Sequence, residues 1–269
     1  MKKLEVFGAV KLKGQIRISG SKNASLPILA ATLLSDKKIF LTNLPRVKDV
    51  ETMIKLLESM GSKMKLSKNK NSLVIQNNKK IKTEAGYNLM STMRAGIIVL
   101  GPLLARFGKA RASSPGGCNI GFRPIDIHLE ALKKMGVQYK IIDGYINAKA
   151  KNGLIGAKIR FPKISVGATE NLIIAACLAK GQTVLSNCAI EPEIKDLSNF
   201  LCSIGAQIVW TGRRQVKILG IKNFKQSNYK IMFDRIEAGT MLVAAAINQG
   251  NLKITGIESD ILKTEINVL

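Results

Sequence analysis

One histidine, His128, stands in the 269 residues, and the four cysteines form no C-x-x-C pair. Cys118, Cys177, Cys188 and Cys202 are separated by 58, 10 and 13 residues. One imidazole and no paired thiols exclude the common zinc sets, so neither a metal nor a cofactor is expected. Aromatic residues are also scarce, at 5% with a single Trp. The net charge of +24 would otherwise point to a nucleic-acid or membrane surface. Yet only ten of the 42 basic residues are Arg, and the lysines are scattered among Ile and Asn. No basic run carries interleaved aromatics, so the charge reads as compositional bias, and nucleic acid is not the expected partner. A basic surface still favours an anionic small molecule. Long apolar runs are missing as well. The longest, residues 95–105, is too short to span a bilayer, and no membrane contact is expected. Met1-Lys2-Lys3-Leu4-Glu5-Val6 runs straight into strand-like alternation, so no secretory signal is expected and the protein reads as soluble and cytoplasmic.

What is present is organised around Ser113-Ser114-Pro115-Gly116-Gly117-Cys118-Asn119-Ile120-Gly121-Phe122-Arg123-Pro124-Ile125-Asp126-Ile127-His128. Its glycines and prolines exclude a regular helix or a central strand. It lies between a β-rich run at 109–113 and a helical run at 127–135. A long polar loop inside a domain is usually functional or disordered, and the placing of Cys118 five residues from Arg123 argues for function. Cys177 sits in an apolar run and reads as a small core hydrophobe, and Cys188 and Cys202 read the same way. Cys118 alone lies outside any periodic segment and reads as a free, reactive thiol.

An internal repeat runs through the chain. Each copy has an apolar helix, a turn, a strand, an amphipathic helix stopped by Gly, and a hairpin. The apolar helices are expected over 26–34, 95–105 and 171–179. The amphipathic helices are expected over 50–60, 127–135 and 194–204, stopped by Gly61, Gly136 and Gly205, which are 75 and 69 residues apart. The hairpins pair 64–66 with 73–75, 139–141 with 145–148, and 208–210 with 216–219. The apolar helices are apolar nearly all round and should be buried on every side. Three copies imply an α/β fold, an inside-out α/β barrel with buried helices and outer sheets. A fourth copy begins with a helix over 239–247 and a strand over 252–255. A half-built repeat cannot bury its apolar faces alone, so the natural protein is expected to continue past Leu269.

Each buried helix is preceded or opened by a basic residue. In Ser19-Gly20-Ser21-Lys22-Asn23-Ala24-Ser25-Leu26-Pro27, Asn23 reads as the N-cap and Pro27 as part of the first turn. Such a helix start points N–H groups and partial positive charge at Lys22, which suits an anion. Arg94 in Thr92-Met93-Arg94 and Lys163 before Ile164-Ser165-Val166 occupy the matching places in the second and third copies. Three cations related by pseudosymmetry would make a better anion site than one.

Pro115 to Asp126 closely resembles the active-site loop of the UDP-N-acetylglucosamine 1-carboxyvinyltransferase family, within the EPSP synthase-like superfamily. Ser19–Asn23, Thr92-Met93-Arg94-Ala95, Ser165-Val166-Gly167-Ala168-Thr169 and Asp234-Arg235-Ile236-Glu237-Ala238-Gly239-Thr240 match other motifs of that family, in order. The resemblance covers the whole chain. It implies two inside-out barrels with the site between them. Residues 22–229 would be the complete catalytic-loop domain, and 1–21 with 230–269 an incomplete second one. It implies transfer of enolpyruvyl from phosphoenolpyruvate to the 3′-hydroxyl of UDP-N-acetylglucosamine through a tetrahedral ketal, with release of phosphate. By the same resemblance Lys22, Asn23 and Arg123 would hold phosphoenolpyruvate. Arg94, Arg123, Pro124, Ile125, Asp126, Ile127, Lys163, Ile164, Ser165 and Val166 would hold the UDP-sugar. Cys118 would be the acid, with Lys22 and Arg123 completing the catalytic set, and also the residue that forms a phospholactoyl adduct and is alkylated by fosfomycin. The family's general-base aspartate and further arginines fall past residue 269, so the chain alone is expected to be inactive or nearly so while still binding UDP-sugar weakly. Two alternatives stay open: a non-catalytic UDP-sugar-binding copy, and the sister family acting on shikimate 3-phosphate, which lacks the Pro-Gly-Gly-Cys loop. His128 reads equally as a structural or a substrate-contacting group. Asp234 and Glu237 read as a site-facing pair or as plain helix-start acids. No oligomeric state is implied.

Overall fold

The computed structural model describes residues 3, 5, 7, 8, 11–113 and 125–268. The expected strand at Leu4 and Val6 and the loop residues Cys118, Arg123 and Pro124 lie outside the described residues. The chain forms two compact units, Lys22–Met232 and a smaller one of Met1–Ser21 with Phe233–Leu269.

In chain order, β1 (Lys13–Arg17) belongs to the small unit. The first repeat then follows as α1 (Lys22–Ala31), a 3-10 turn (Thr32–Leu34), β2 (Ile39–Thr42), α2 (Lys48–Ser59), β3 (Ser62–Leu66) and β4 (Ser72–Asn77). A two-residue strand β5 (Glu84–Ala85) and the short α3 (Tyr87–Met90) lead to the second repeat. That repeat comprises a 3-10 segment (Arg94–Val99), α4 (Leu100–Phe107), β6 (Lys109–Ser113), α5 (Asp126–Lys134), β7 (Gln138–Ile142) and β8 (Tyr145–Lys149). After β9 (Lys158–Arg160) the third is α6 (Val166–Ala176), β10 (Gln182–Ser186), α7 (Pro192–Ser203), β11 (Gln207–Gly212) and β12 (Gln215–Leu219), then β13 (Ser227–Lys230). The small unit resumes with α8 (Arg235–Ile247), β14 (Asn251–Thr255), a 3-10 turn (Ser259–Leu262) and α9 (Lys263–Ile266).

The large unit holds three four-stranded sheets of one topology among the described residues, ordered β13-β2-β4-β3, β5-β6-β8-β7 and β9-β10-β12-β11. In each, the repeat's first strand is antiparallel to its own hairpin and parallel to a strand lent by the linker after another repeat. β5 passes from the first repeat to the second, β9 from the second to the third, and β13 from the third back to the first. The exchange therefore closes on itself. The strands alternate as one-sided sheets should: Ile39, Leu41, Leu73, Ile75, Ile146, Ala148, Val216 and Ile218 are buried, while Phe40 between two of them is exposed.

Those inner faces cover the apolar helices. Residues 24–31 of α1 and 168–176 of α6 are buried without a break, and Ala24, Leu26 and residues 28–31 join Ala168 and residues 172–176 in one core cluster. The helices are inside and the sheets outside because only the helices are apolar on every side. Each fully buried Leu or Ile contributes roughly 2 kcal/mol, so the middle of the unit carries most of its stability. The amphipathic helices α2, α5 and α7 stop at Gly61, Gly136 and Gly205, with φ of 106°, 90° and 109°, a left-handed turn that a side chain would resist. β13 is held by Tyr229, whose hydroxyl donates to Asp196 on α7 at 2.6 Å and whose ring meets Phe200 edge-on at 5.4 Å.

Two local expectations need correction. α1 starts at Lys22, so Asn23 lies inside the helix rather than capping it, and Pro27 falls beyond the first turn. Pro27 is tolerated because the carbonyl it leaves without a partner is that of Asn23, near the helix start. Cys202 is exposed, unlike Cys177 and Cys188, because it falls one position past the Phe200–Leu201 face of α7 that enters the core. The fourth copy behaves as a half-built repeat should: α8 fully buries only Ala238, and Ile236, Val243 and Ile247 are exposed. Among the described residues the core of the small unit comprises Ile18, Phe233, Ala238 and Leu262, with Ile16, Met241, Leu242, Ile254, Ile257 and Ile261 partly buried against it.

Candidate active site

Lys22 is the first residue of α1, and its Nζ lies 3.3 Å from Asp49 Oδ2 in the first turn of α2, with both side chains 42% exposed. Solvent screens such a pair, so it contributes little to stability. Its effect is to hold the ammonium at the helix start, where the N–H groups also concentrate positive potential. Asn23 is exposed beside it. Asp49 went unnoticed in the sequence because 27 positions separate it from Lys22 and no motif links them.

Arg94 opens the 3-10 segment of the second repeat and is half-buried. In the third repeat, Lys163 and Ile164 are exposed and Ser165 caps α6, its Oγ accepting from the Ala168 N–H at 3.3 Å. Thr169 reinforces that end, its hydroxyl donating to the Ser165 carbonyl at 2.7 Å and accepting from the Ala189 N–H at 3.1 Å. Val166 is 40% exposed. The three basic openings thus sit at equivalent places: α1 packs against α6 and the 3-10 segment, and α4 packs against α6. At the far end of the first repeat's helix, Arg106 of α4 donates to the Leu33 and Ser35 carbonyls at 2.8 and 3.2 Å, satisfying groups the helix leaves open.

Ile125 precedes α5, Asp126 opens it, and Ile127 is buried. His128 is buried too, with Nδ1 3.1 Å from Asn171 Nδ2. Burial lowers its pKa to about 4, outweighing the opposite pull of Asp126. The imidazole is neutral, so His128 is a hydrogen-bonded interior group, not an exposed cation. Asn171 is the second residue that sequence reasoning passed over. Its signal was available: it is a polar residue directly before Leu172-Ile173-Ile174-Ala175-Ala176. Asp234 caps α8, accepting from the Ile236 and Glu237 N–H groups at 2.9 and 3.1 Å. Glu237 accepts from the Ser19 N–H at 3.0 Å. Both acids thus have local partners within the small unit. Among the described residues no group of three or more His, Cys, Asp or Glu could hold a metal ion, and no helix is long and apolar enough to cross a membrane.

Solved structures share this architecture. The enolpyruvyl transferase NikO from Streptomyces tendae aligns with a TM-score of 0.86 at 20% identity, covering 97% of this chain and 62% of that one. An EPSP synthase from Acinetobacter baumannii aligns with 0.79 at 18% identity, covering 97% and 60%. In sequence, the UDP-N-acetylglucosamine 1-carboxyvinyltransferase of Pelagibacter ubique (strain HTCC1062) is 70% identical over 269 residues, covering all of this chain and 64% of its own length. The enzyme of the same name from Coxiella burnetii (strain Dugway 5J108-111) is 48% identical over 257 residues, covering 96% and 59%. The chain therefore spans about three fifths of the length of these curated relatives. Residues 6–269 match the family described as EPSP synthase (3-phosphoshikimate 1-carboxyvinyltransferase). With the repeated α/β architecture and the helix-start cations on the same stretch, the chain belongs to the EPSP synthase family.

Proposed function

We propose that this chain carries the donor and nucleotide-sugar half of an enolpyruvyl-transfer site, moving enolpyruvyl from phosphoenolpyruvate to the 3′-hydroxyl of UDP-N-acetylglucosamine with release of phosphate. The observation that carries the proposal is the 70% identity, over all of this chain and 64% of the relative, to a UDP-N-acetylglucosamine 1-carboxyvinyltransferase. The sequence Pro115-Gly116-Gly117-Cys118 supports it over the shikimate-directed sister reaction. Lys22 and Arg123 neutralise the phosphate and carboxylate of the donor, with Asn23 as a polar contact. Cys118 protonates the methylene carbon, leaving its thiolate, while the sugar oxygen bonds to the central carbon and passes its proton to a general base in the other half of the site. Loss of phosphate from the resulting ketal, with return of a proton from the methyl carbon, restores the enol ether. Arg94, the 123–127 segment and Lys163–Val166 hold the UDP-sugar. Residues 22–229 form the catalytic-loop domain, and 1–21 with 230–269 belong to a second one. The reaction opens peptidoglycan synthesis, so the role is in cell-wall biogenesis, cell shape and division, in the cytoplasm.

The test is calorimetry with UDP-N-acetylglucosamine, followed by phosphate release from phosphoenolpyruvate with that acceptor or shikimate 3-phosphate. Binding of the sugar nucleotide with little turnover by the 269-residue chain is the expected result. Stimulation by shikimate 3-phosphate alone, or no sugar-nucleotide binding, overturns the proposal. A second expectation concerns Cys118. Fosfomycin with UDP-N-acetylglucosamine should add one adduct, on the peptide containing Cys118, and Cys118→Ser should abolish it. An adduct on exposed Cys202 instead would show that accessibility alone governs the labelling.

A further inference from the structure

We infer that His128 and Asn171 form a positioning node that sets the three sugar-nucleotide-holding segments against one another, an inference that rests on the assignment of those segments proposed above. The node is one asparagine amide with both N–H donors and its oxygen engaged. Asn171 Oδ1 accepts from the Gly101 N–H at 2.8 Å, and Nδ2 reaches the Ile97 carbonyl at 3.3 Å. Those backbone partners fix which end of the amide is oxygen, so Nδ2 donates to His128 Nδ1 across 3.1 Å. His128 is therefore the neutral tautomer with its proton on Nε2. Each partner leads to one segment. Ile97 lies three residues after Arg94, in the same 3-10 stretch. His128 directly follows Ile127. Asn171 lies one helical turn beyond Gly167, which directly follows Val166. Gly167 also faces the ring: a Cβ there would stand 3.3 Å from His128 Cε1 and 3.5 Å from Nε2. A residue that only filled space could be Leu or Phe. This one is an acceptor matched to a donor whose other bonds all run to the backbone of the second repeat, so moving any segment breaks a buried hydrogen bond.

The single histidine makes the test direct, because ¹⁵N-histidine labelling reports one imidazole. The expected spectrum at pH 7 is the Nε2-protonated tautomer, perturbed on adding UDP-N-acetylglucosamine. An Nδ1-protonated ring or an imidazolium at that pH overturns the inference. His128→Phe should weaken UDP-N-acetylglucosamine binding about tenfold, the worth of one buried polar link. His128→Asn, whose amide oxygen can stand where Nδ1 stood, should recover it to within about threefold. A folded His128→Phe with unchanged affinity, or a folded His128→Asn as weak as His128→Phe, overturns the inference. If His128→Phe does not fold, His128→Gln replaces it, since its polar atoms lie beyond the Nδ1 position. If the unsubstituted chain does not bind the nucleotide, the functional proposal fails on its own and hydrogen exchange decides the node. Faster exchange in 94–101, 125–134 and 165–171 together supports it, and faster exchange confined to 125–134 overturns it.

Discussion

Gly101→Ala is expected to destabilise the large unit by about 3 kcal/mol, read as a lower urea midpoint with an unchanged slope. A Cβ at this position would fall 2.2 Å from Asn171 Oδ1 and 2.6 Å from the Asn171 carbonyl oxygen. The first atom ends a side chain and can move, but only by giving up its bond from the Gly101 N–H and, with it, the amide orientation that supplies His128. The second is backbone, so α4 and α6 must separate. Both helices are buried along their contact, and separation opens voids on either side. Alanine's better helix propensity returns about 1 kcal/mol, which is too little to offset the overlap. Gly96→Ala is the control. Its Cβ would meet Met90 Sδ at 2.4 Å, a flexible thioether that can rotate away, so a smaller loss is expected. Equal losses at the two glycines would show that the Gly101–Asn171 contact has no special rigidity.

How much of this was legible in the sequence depended on the range over which each feature is decided. The helices, stop glycines and hairpins are local. Periodicity placed α2, α5 and α7 within a few residues, because a one-sided apolar stripe and a left-handed stop need no distant partner to be recognised. The lent strands β5, β9 and β13 are not local. Glu84–Ala85, Lys158–Arg160 and Ser227–Lys230 show no alternation worth the name, and they are strands only because another repeat offers an edge. The closing of the exchange was invisible for that reason, although the threefold repetition behind it was plain. At the site, the helix starts at Lys22, Arg94 and Ser165–Val166 could be found from chain order. The pairing of Lys22 with Asp49 and the Asn171 node could not, since each joins residues in different elements. α8 follows the same logic: the half-built fourth repeat was expected to leave apolar faces uncovered, and the helix fully buries only Ala238, with Met241 and Leu242 partly covered.

Acid should weaken the fold through His128 in a defined window. The unfolded chain takes up a proton near the ordinary value of 6.5, and the folded chain not until about pH 4. Between those limits the unfolded state binds more protons, so stability falls as pH falls. The contribution is complete above pH 6.5 and is lost progressively toward pH 4, a loss of about 3 kcal/mol at roughly 1.4 kcal/mol per pH unit. Glu170 acts with the opposite sign. Burial, then Glu193 and Glu191, hold its carboxyl well above the usual value of 4.5, so the folded state keeps a proton that the unfolded state releases. Its contribution is present below pH 4.5 and lost as pH rises. Denaturant titrations of the unsubstituted chain, His128→Asn and Glu170→Gln across pH 4 to 8 separate the two. His128→Asn should flatten the acid side of the profile. Glu170→Gln should leave the acid side alone and gain stability toward pH 8, because an amide needs no proton to stay neutral. A His128→Asn profile parallel to that of the unsubstituted chain between pH 4 and 6.5 would mean that the imidazole is protonated in the folded state. The Asn171 amide would then have to turn its oxygen toward the ring, leaving the Gly101 N–H facing an NH₂ group.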